Sequence, residues 1–251
     1  MKNKSPILVA HRGYAAHWPE NSLPALEAAA AAGARWVEVD VQLCADEVPV
    51  LLHDVELERL TGRPMSLSGL TAAALAGVPL CEPARFGARF ADERVVTLAG
   101  FANWYAGQPG LEAFVEIKPQ SIERFGREAV VQACLSAMSA AKRAWVPISW
   151  DYEVLALFAD SGVEPVGWVV RDWDEAVAAE ARKLPARWLF CNHQRLPPGP
   201  LPQGPWEWVI YEVAAAPLAM ELIGRGARWL ETMAIAELRL ALEQARGAAP
   251  G

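Results

Sequence analysis

Along the chain, short runs rich in Val, Ile, Trp and Leu alternate with longer alanine- and leucine-rich stretches whose apolar residues recur at helical spacing. The short runs predict strands at residues 7–11, 36–42, 49–53, 113–117, 145–149, 165–170, 188–191, 208–213 and 228–232. The longer stretches predict helices at 23–32, 122–141, 152–161, 174–183 and 217–224, with Asp151 and Asp174 placed to start two of them. Strand and helix repeat about eight times, the pattern of βα units around a parallel sheet. Because crossovers between parallel strands are right-handed, so many units in this length either close into a barrel or open into a doubly wound sheet. No glycine-rich G-x-G-x-x-G follows a predicted strand, which favours the barrel.

Two segments break the rhythm. Residues 54–97 hold Gly62, Pro64, Gly69, Gly77, Pro79, Pro83 and Gly87 and are too long for an ordinary connection, so they read as an insertion over one face. Residues 196–205 contain Pro197, Pro198, Pro200, Pro202 and Pro205 and predict an extended loop, with strands on both sides of it. No repeat of fixed period is visible.

The chain has 251 residues, 53% hydrophobic and 21% charged, which excludes disorder and fits a single barrel domain over residues 1–251. Its 23 basic and 30 acidic residues leave a net charge of −7, so nucleic acid is not an expected partner and an anionic ligand needs a local positive centre. Cys44, Cys81, Cys134 and Cys191 lie far apart without C-x-x-C spacing, as expected of a reduced, cytoplasmic protein rather than a zinc or disulfide scaffold. The apolar run after the basic start is too short for a signal peptide, and the longest charge-free stretch, 64–81, is broken by polar residues and Pro79. Stable membrane insertion is not expected.

Candidate chemistry gathers at strand ends. In Trp36-Val37-Glu38-Val39-Asp40-Val41 a period of two puts both carboxylates on one face and the valines on the other. Inside a barrel such a pair needs a cation, and hard oxygen donors suit Mg²⁺ or Ca²⁺; on an exposed edge the acids would simply be solvated. Glu116 and Lys118 share a face at the end of another strand, stopped by Pro119. They fit either a third carboxylate with an adjacent ammonium in a metal and phosphate site or a surface ion pair. His11 and His53 each end an apolar run. They could act as acid and base near neutral pH or be satisfied core histidines.

Together these stretches resemble the glycerophosphodiester phosphodiesterase family, especially its cytosolic bacterial type. The resemblance rests on Ala10-His11-Arg12-Gly13, Pro19-Glu20-Asn21-Ser22, Val37-Glu38-Val39-Asp40-Val41, Pro49-Val50-Leu51-Leu52-His53-Asp54, Leu57-Glu58-Arg59-Leu60-Thr61 and Val115-Glu116-Ile117-Lys118-Pro119. It implies a TIM-type (β/α)₈ barrel with a small insertion after the second strand, and hydrolysis of a glycerophosphodiester to glycerol 3-phosphate and an alcohol. It also implies one divalent cation, Mg²⁺ or Ca²⁺, on Glu38, Asp40 and Glu116, with His11 and His53 as the acid–base pair. Arg12 and Lys118 would contact the phosphate, and Trp150, at the end of the fourth barrel strand, would contact the substrate. A barrel that binds phosphodiesters without turnover and a lysophospholipase D are the alternatives.

The chain departs from the family where Glu212-Val213-Ala214 replaces Thr-Val-Asn, Thr232-Met233 replaces Thr-Asp, and Val96-Thr97-Leu98-Ala99-Gly100 replaces Pro-Thr-Leu-Glu-Glu. The first two lie at strand ends, where barrels build specificity, and leave the head group open. Asn21 is expected mainly to cap the helix beginning near Leu23, and His17, His193 and Cys191 to have no part in chemistry. Trp36, Trp145, Trp188 and Trp229 are expected to pack in the core or at the barrel rim.

Overall fold

The computed structural model describes residues 5–184 and 186–247. Its strands are β1 (Ile7–His11), β2 (Trp36–Leu43), β3 (Pro49–Leu51), β4 (Glu112–Ile117), β5 (Val146–Ser149), β6 (Val166–Val169), β7 (Ala186–Asn192), β8 (Glu207–Tyr211) and β9 (Trp229–Thr232). Eight of them pair in parallel in the order β1-β9-β8-β7-β6-β5-β4-β2, and β2 pairs back onto β1, which closes a TIM-type (β/α)₈ barrel. The ninth, β3, is a short antiparallel partner of β2, with Val41 opposite Leu51, and is not a barrel strand. It turns the chain out into residues 54–97.

Period-two alternation decides what each strand buries. Val37, Val39 and Val41, with Ala113, Val115 and Ile117, point out of the barrel into the layer shared with the helices. The alternate positions point inward. At the end where the strands begin, Trp36, Phe114, Trp188 and Trp229 fill the interior, with Trp36 stacked on Phe114 at 4.5 Å and the other rings edge-on. Gly167 on β6 leaves room for Ile148 and for Phe190, which packs edge-on against Phe114, since a Cβ there would stand 2.7 Å from Ile148 and 2.9 Å from Phe190. With that end plugged, the polar inward positions gather at the other end.

The helices largely follow the pattern: α1 (Leu23–Ala31), α2 (Leu98–Ala106), α3 (Pro119–Phe125), α4 (Arg127–Met138), α5 (Tyr152–Asp160), α6 (Glu175–Ala181), α7 (Ala216–Gly224) and α8 (Ile235–Gly247). The single helix expected over 122–141 is two helices, because Gly126 at φ 84° breaks it. α2 and α8 were not anticipated, although Ile235, Leu238 and Leu242 repeat at helical spacing and are buried. Between β7 and β8 the prolines form the expected extended loop, after a single 3₁₀ turn at His193–Arg195. Residues 54–97 carry a small apolar core of their own, in which Leu57, Leu60, Leu67, Leu75 and Leu80 pack on Cys44, Val50 and Leu52. All four cysteines are buried and unpaired.

Candidate active site

The inward positions at the ends of β1, β2, β4 and β9 bring His11, Glu38, Asp40, Glu116 and Glu231 into one region, with Lys118 directly after β4. Register explains the meeting: His11 lies opposite Glu38, and Asp40 opposite Glu116. Above them opens a cavity of about 270 Å³ lined by His11, Arg12, His53, Glu116, Lys118, Trp150, Tyr211, Glu212 and Glu231. It sits at the carboxyl ends of the barrel strands, where catalytic residues of this fold collect.

Glu38, Asp40 and Glu116 each offer a ligand atom within 4.8 Å of the others, and all three are buried. Oε1 of Glu38 has no partner there, and Oδ1 of Asp40 has an ion-pair contact with Lys118 but no aligned hydrogen bond. Three hard, convergent oxygen donors with an orphaned atom among them fit a divalent cation. Two fixed cations frame the trio. The Lys118 Nζ stands 2.9 Å from Glu116 Oε1 and 3.2 Å from Asp40 Oδ1, and Arg12 Nε stands 2.9 Å from Asp40 Oδ2 without hydrogen-bond alignment. Burial opposes ionisation of Asp40, but the Arg12 and Lys118 charges outweigh it and hold the carboxyl well below the usual range. Glu38 goes the other way: burial, then the negative charge of Asp40, pushes it well above its ordinary value. Burial works against the charge on Lys118, yet Asp40 and Glu116 raise it above a normal lysine.

The loop after β1 positions Arg12. Arg12 takes φ 56° and Gly13 φ 80°, and a Cβ on Gly13 would meet the Ala25 backbone at 2.7 Å. The turn aims the Arg12 amide at Glu38 Oε2 (3.2 Å) and its guanidinium at Glu20 (3.0 Å). Glu20 also accepts from Arg59 at 2.9 and 2.7 Å, tying this loop to residues 54–97. Asn21 corrects the capping expectation. Ser22 caps α1, while Asn21 donates to Asp40 Oδ2 (2.9 Å) and accepts from the Asp40 amide (3.0 Å).

The two histidines arrive on different supports. His11 is buried, its Nε2 3.8 Å from Glu38 Oε2 and its Nδ1 without a partner; burial, then the nearby Arg12 charge, lowers its basicity well below an ordinary imidazole. His53 is half-buried, with Nδ1 2.6 Å from Asp54 Oδ1. Trp150 reaches the cavity, but the Arg171 guanidinium lies 4.2 Å from its ring centroid. Glu212, at φ 63°, accepts from Asn192 at 2.7 Å. His17 pairs with Glu237 away from the cavity.

Sequence reasoning overlooked Glu231. It is 2% exposed, burial then the charges of Glu116 and Asp40 push its carboxyl well above the usual range, and its Oε1 has no partner. The available signal was a lone acid inside the apolar Trp229-Leu230-Glu231-Thr232 run.

Residues 11–154 match the sequence model of the Glycerophosphoryl diester phosphodiesterase family. Over 90 residues the chain is 39% identical to glycerophosphodiester phosphodiesterase 1 of Rattus norvegicus, covering 36% of this chain and 27% of that protein. Over 96 residues it is 35% identical to a glycerophosphodiester phosphodiesterase of Caldanaerobacter subterraneus, covering 37% of each. The aligned part thus spans well under half of these relatives. A phosphodiesterase of Oleispira antarctica, solved with the product sn-glycerol-3-phosphate, superposes with a TM-score of 0.82 at 21% identity over 95% of this chain and 97% of that one. At that identity the likeness concerns the fold.

Proposed function

The chain belongs to the glycerophosphoryl diester phosphodiesterase family, and from that premise we propose that it hydrolyses a glycerophosphodiester to glycerol 3-phosphate and an alcohol, working as one barrel domain with residues 54–97 as its insertion. The observation that carries this reading is one cavity lined by His11, His53, Arg12, Lys118 and Glu116, with Glu116 also part of the buried carboxylate trio it forms with Glu38 and Asp40. In the proposed site Glu38, Asp40 and Glu116 hold one divalent cation, Mg²⁺ or Ca²⁺. When bound, that ion acts as a Lewis acid on the phosphoryl group.

The protein's own groups do the rest. A phosphodiester carries one negative charge that repels an incoming nucleophile, and Arg12 and Lys118 lie at the cavity wall to offset it. One histidine accepts the proton of the attacking water as the water oxygen bonds to phosphorus; if the substrate's own hydroxyl attacks first, the cyclic phosphodiester it forms is opened by water in a second step of the same kind. The other donates a proton to the alcohol oxygen as the phosphorus–oxygen bond breaks. Asp54 orients His53, and the buried Glu38 carboxylate faces His11. Asn21 fixes Asp40 at both its amide and its carboxylate.

The test is release of glycerol 3-phosphate from a panel of glycerophosphodiesters with and without chelator. Release that stops on chelation and returns with Mg²⁺ or Ca²⁺ supports the reading. No release from any diester of the panel, in a folded and cation-loaded chain, refutes it.

A further inference from the structure

Glu231 has no part in the reaction derived above, yet it stands at the floor of the same cavity with its Oε1 buried and unpartnered. Its carboxylate, the Glu38 carboxylate and a His11 ring nitrogen lie within 4.8 Å of one another, and all three residues are buried. His11 Nδ1 and Glu38 Oε1 also lack hydrogen-bond partners. Orphaned buried polar atoms in this number call for a ligand. The donor set differs from the neighbouring trio in one respect: it contains a nitrogen. Mg²⁺ and Ca²⁺ take oxygen ligands. Imidazole with carboxylates suits Zn²⁺, which commonly sits on three protein ligands with a fourth position open, whereas all-oxygen sets suit Mg²⁺ and Ca²⁺.

We propose that His11, Glu38 and Glu231 form a second cation position, selective for Zn²⁺ over Mg²⁺ and Ca²⁺, beside the all-carboxylate trio and sharing Glu38 with it. The charges order the two positions. Arg12 and Lys118 lie beside the Asp40 and Glu116 carboxylates of the trio, while Glu38 and Glu231 crowd each other without a cation of their own among the described residues. A second ion there is held by those two carboxyls and by the nitrogen donor that Mg²⁺ does not favour. An ion there engages the lone pair of His11 and withdraws the ring from proton transfer, so Zn²⁺ acts as an inhibitor. That consequence rests on the catalytic reading; the site itself does not.

Equilibrium dialysis against micromolar Zn²⁺ in millimolar Mg²⁺ tests the proposal, with bound metal measured directly and His11 followed by imidazole NMR in the wild-type chain. The expected result is a single Zn²⁺ per chain and a His11 signal that moves with Zn²⁺ but not with Mg²⁺. Loss of an outer-shell partner alone lowers metal affinity by about 10–100-fold, so Glu231→Gln should weaken Zn²⁺ by at least about tenfold. Glu116→Gln, which touches only the trio, should leave Zn²⁺ bound. Absence of Zn²⁺ binding to the wild type, an unmoved His11 signal, or equal Zn²⁺ affinity in wild type and a folded Glu231→Gln would each overturn it. Zn²⁺ bound by a chain that hydrolyses no diester supports the site and counts against the catalytic reading. Turnover without Zn²⁺ binding does the reverse.

Discussion

His11 and His53 meet the cavity under opposite constraints. His11 is buried against Glu38, whereas His53 is half-exposed and leans on Asp54. The hydrogen bond from His53 lowers the Asp54 carboxyl to about 2 against partial burial, with Arg59 adding to the effect. His11→Ala and His53→Ala should each reduce turnover about 10²–10⁴-fold, the contribution of a positioned acid or base, with thermal unfolding unchanged. A para-nitrophenyl diester, whose leaving group needs no proton, should rescue one of the two. Rescue of both, or of neither, rules out a division into one acid and one base. Glu212 belongs to the same scale. Glu212 lines the same cavity, and the Arg171 guanidinium lies over Trp150; if the chain hydrolyses glycerophosphodiesters as proposed, the Glu212 carboxylate should favour cationic alcohols. Glu212→Thr should lower the preference in kcat/KM for glycerophosphocholine over glycerophosphoglycerol by about fivefold, the ~1 kcal/mol upper end of an exposed ion pair. An unchanged ranking means that Glu212 does not select the head group.

Among the elements, α8 is latched to the β1 loop. The Tyr14 hydroxyl donates to Glu237 Oε2 at 2.6 Å, His17 bonds the other oxygen, and Tyr14 also packs on Trp18. Burial tends to raise the Glu237 carboxyl, but the bonds from Tyr14 and His17 outweigh it, and the group titrates below its ordinary value. A carboxyl depressed in the fold stabilises it above the unfolded titration range and loses that contribution as pH falls through its folded value. Amide-exchange protection of α8 should therefore be full at neutral pH and decline below about pH 4.3, the ordinary glutamate range. Tyr14→Phe should lower the protection already at neutral pH. If exchange in α8 were the same in both proteins, the latch would carry no stability.

At the scale of the whole barrel, aromatic packing closes one end, and carboxylates that outnumber the cations paired with them crowd the other. A cation that binds only the folded chain must stabilise it. At a hundred times its Kd the gain is about 2.7 kcal/mol, which for a chain of this size is roughly 5–10 °C in Tm. Mg²⁺ or Ca²⁺ should raise Tm by that order, chelator should reverse the shift, and Asp40→Asn should reduce it. A Tm indifferent to divalent ions in the wild type would exclude the trio as a cation site.

The alternation of apolar and polar residues was enough to place eight parallel strands and to put Glu38 with Asp40, and Glu116 with Lys118, on shared faces, because a strand's period of two is a local property. The motif order supplied His11, His53 and Arg12. The antiparallel turn of β3 was not legible, since an apolar tripeptide reads alike in either direction and only its pairing with β2 distinguishes them. Asn21 was misassigned to capping because its true partner, Asp40, is nineteen residues away and meets it only after α1 folds back. Glu231 lies on the last strand, and its nearness to His11 and Glu38 exists only once β9 and β2 flank β1 in the closed barrel. Local pattern decides which face a side chain takes. Closure of the barrel and the register between distant strands decide which side chains meet, and therefore what the site can hold.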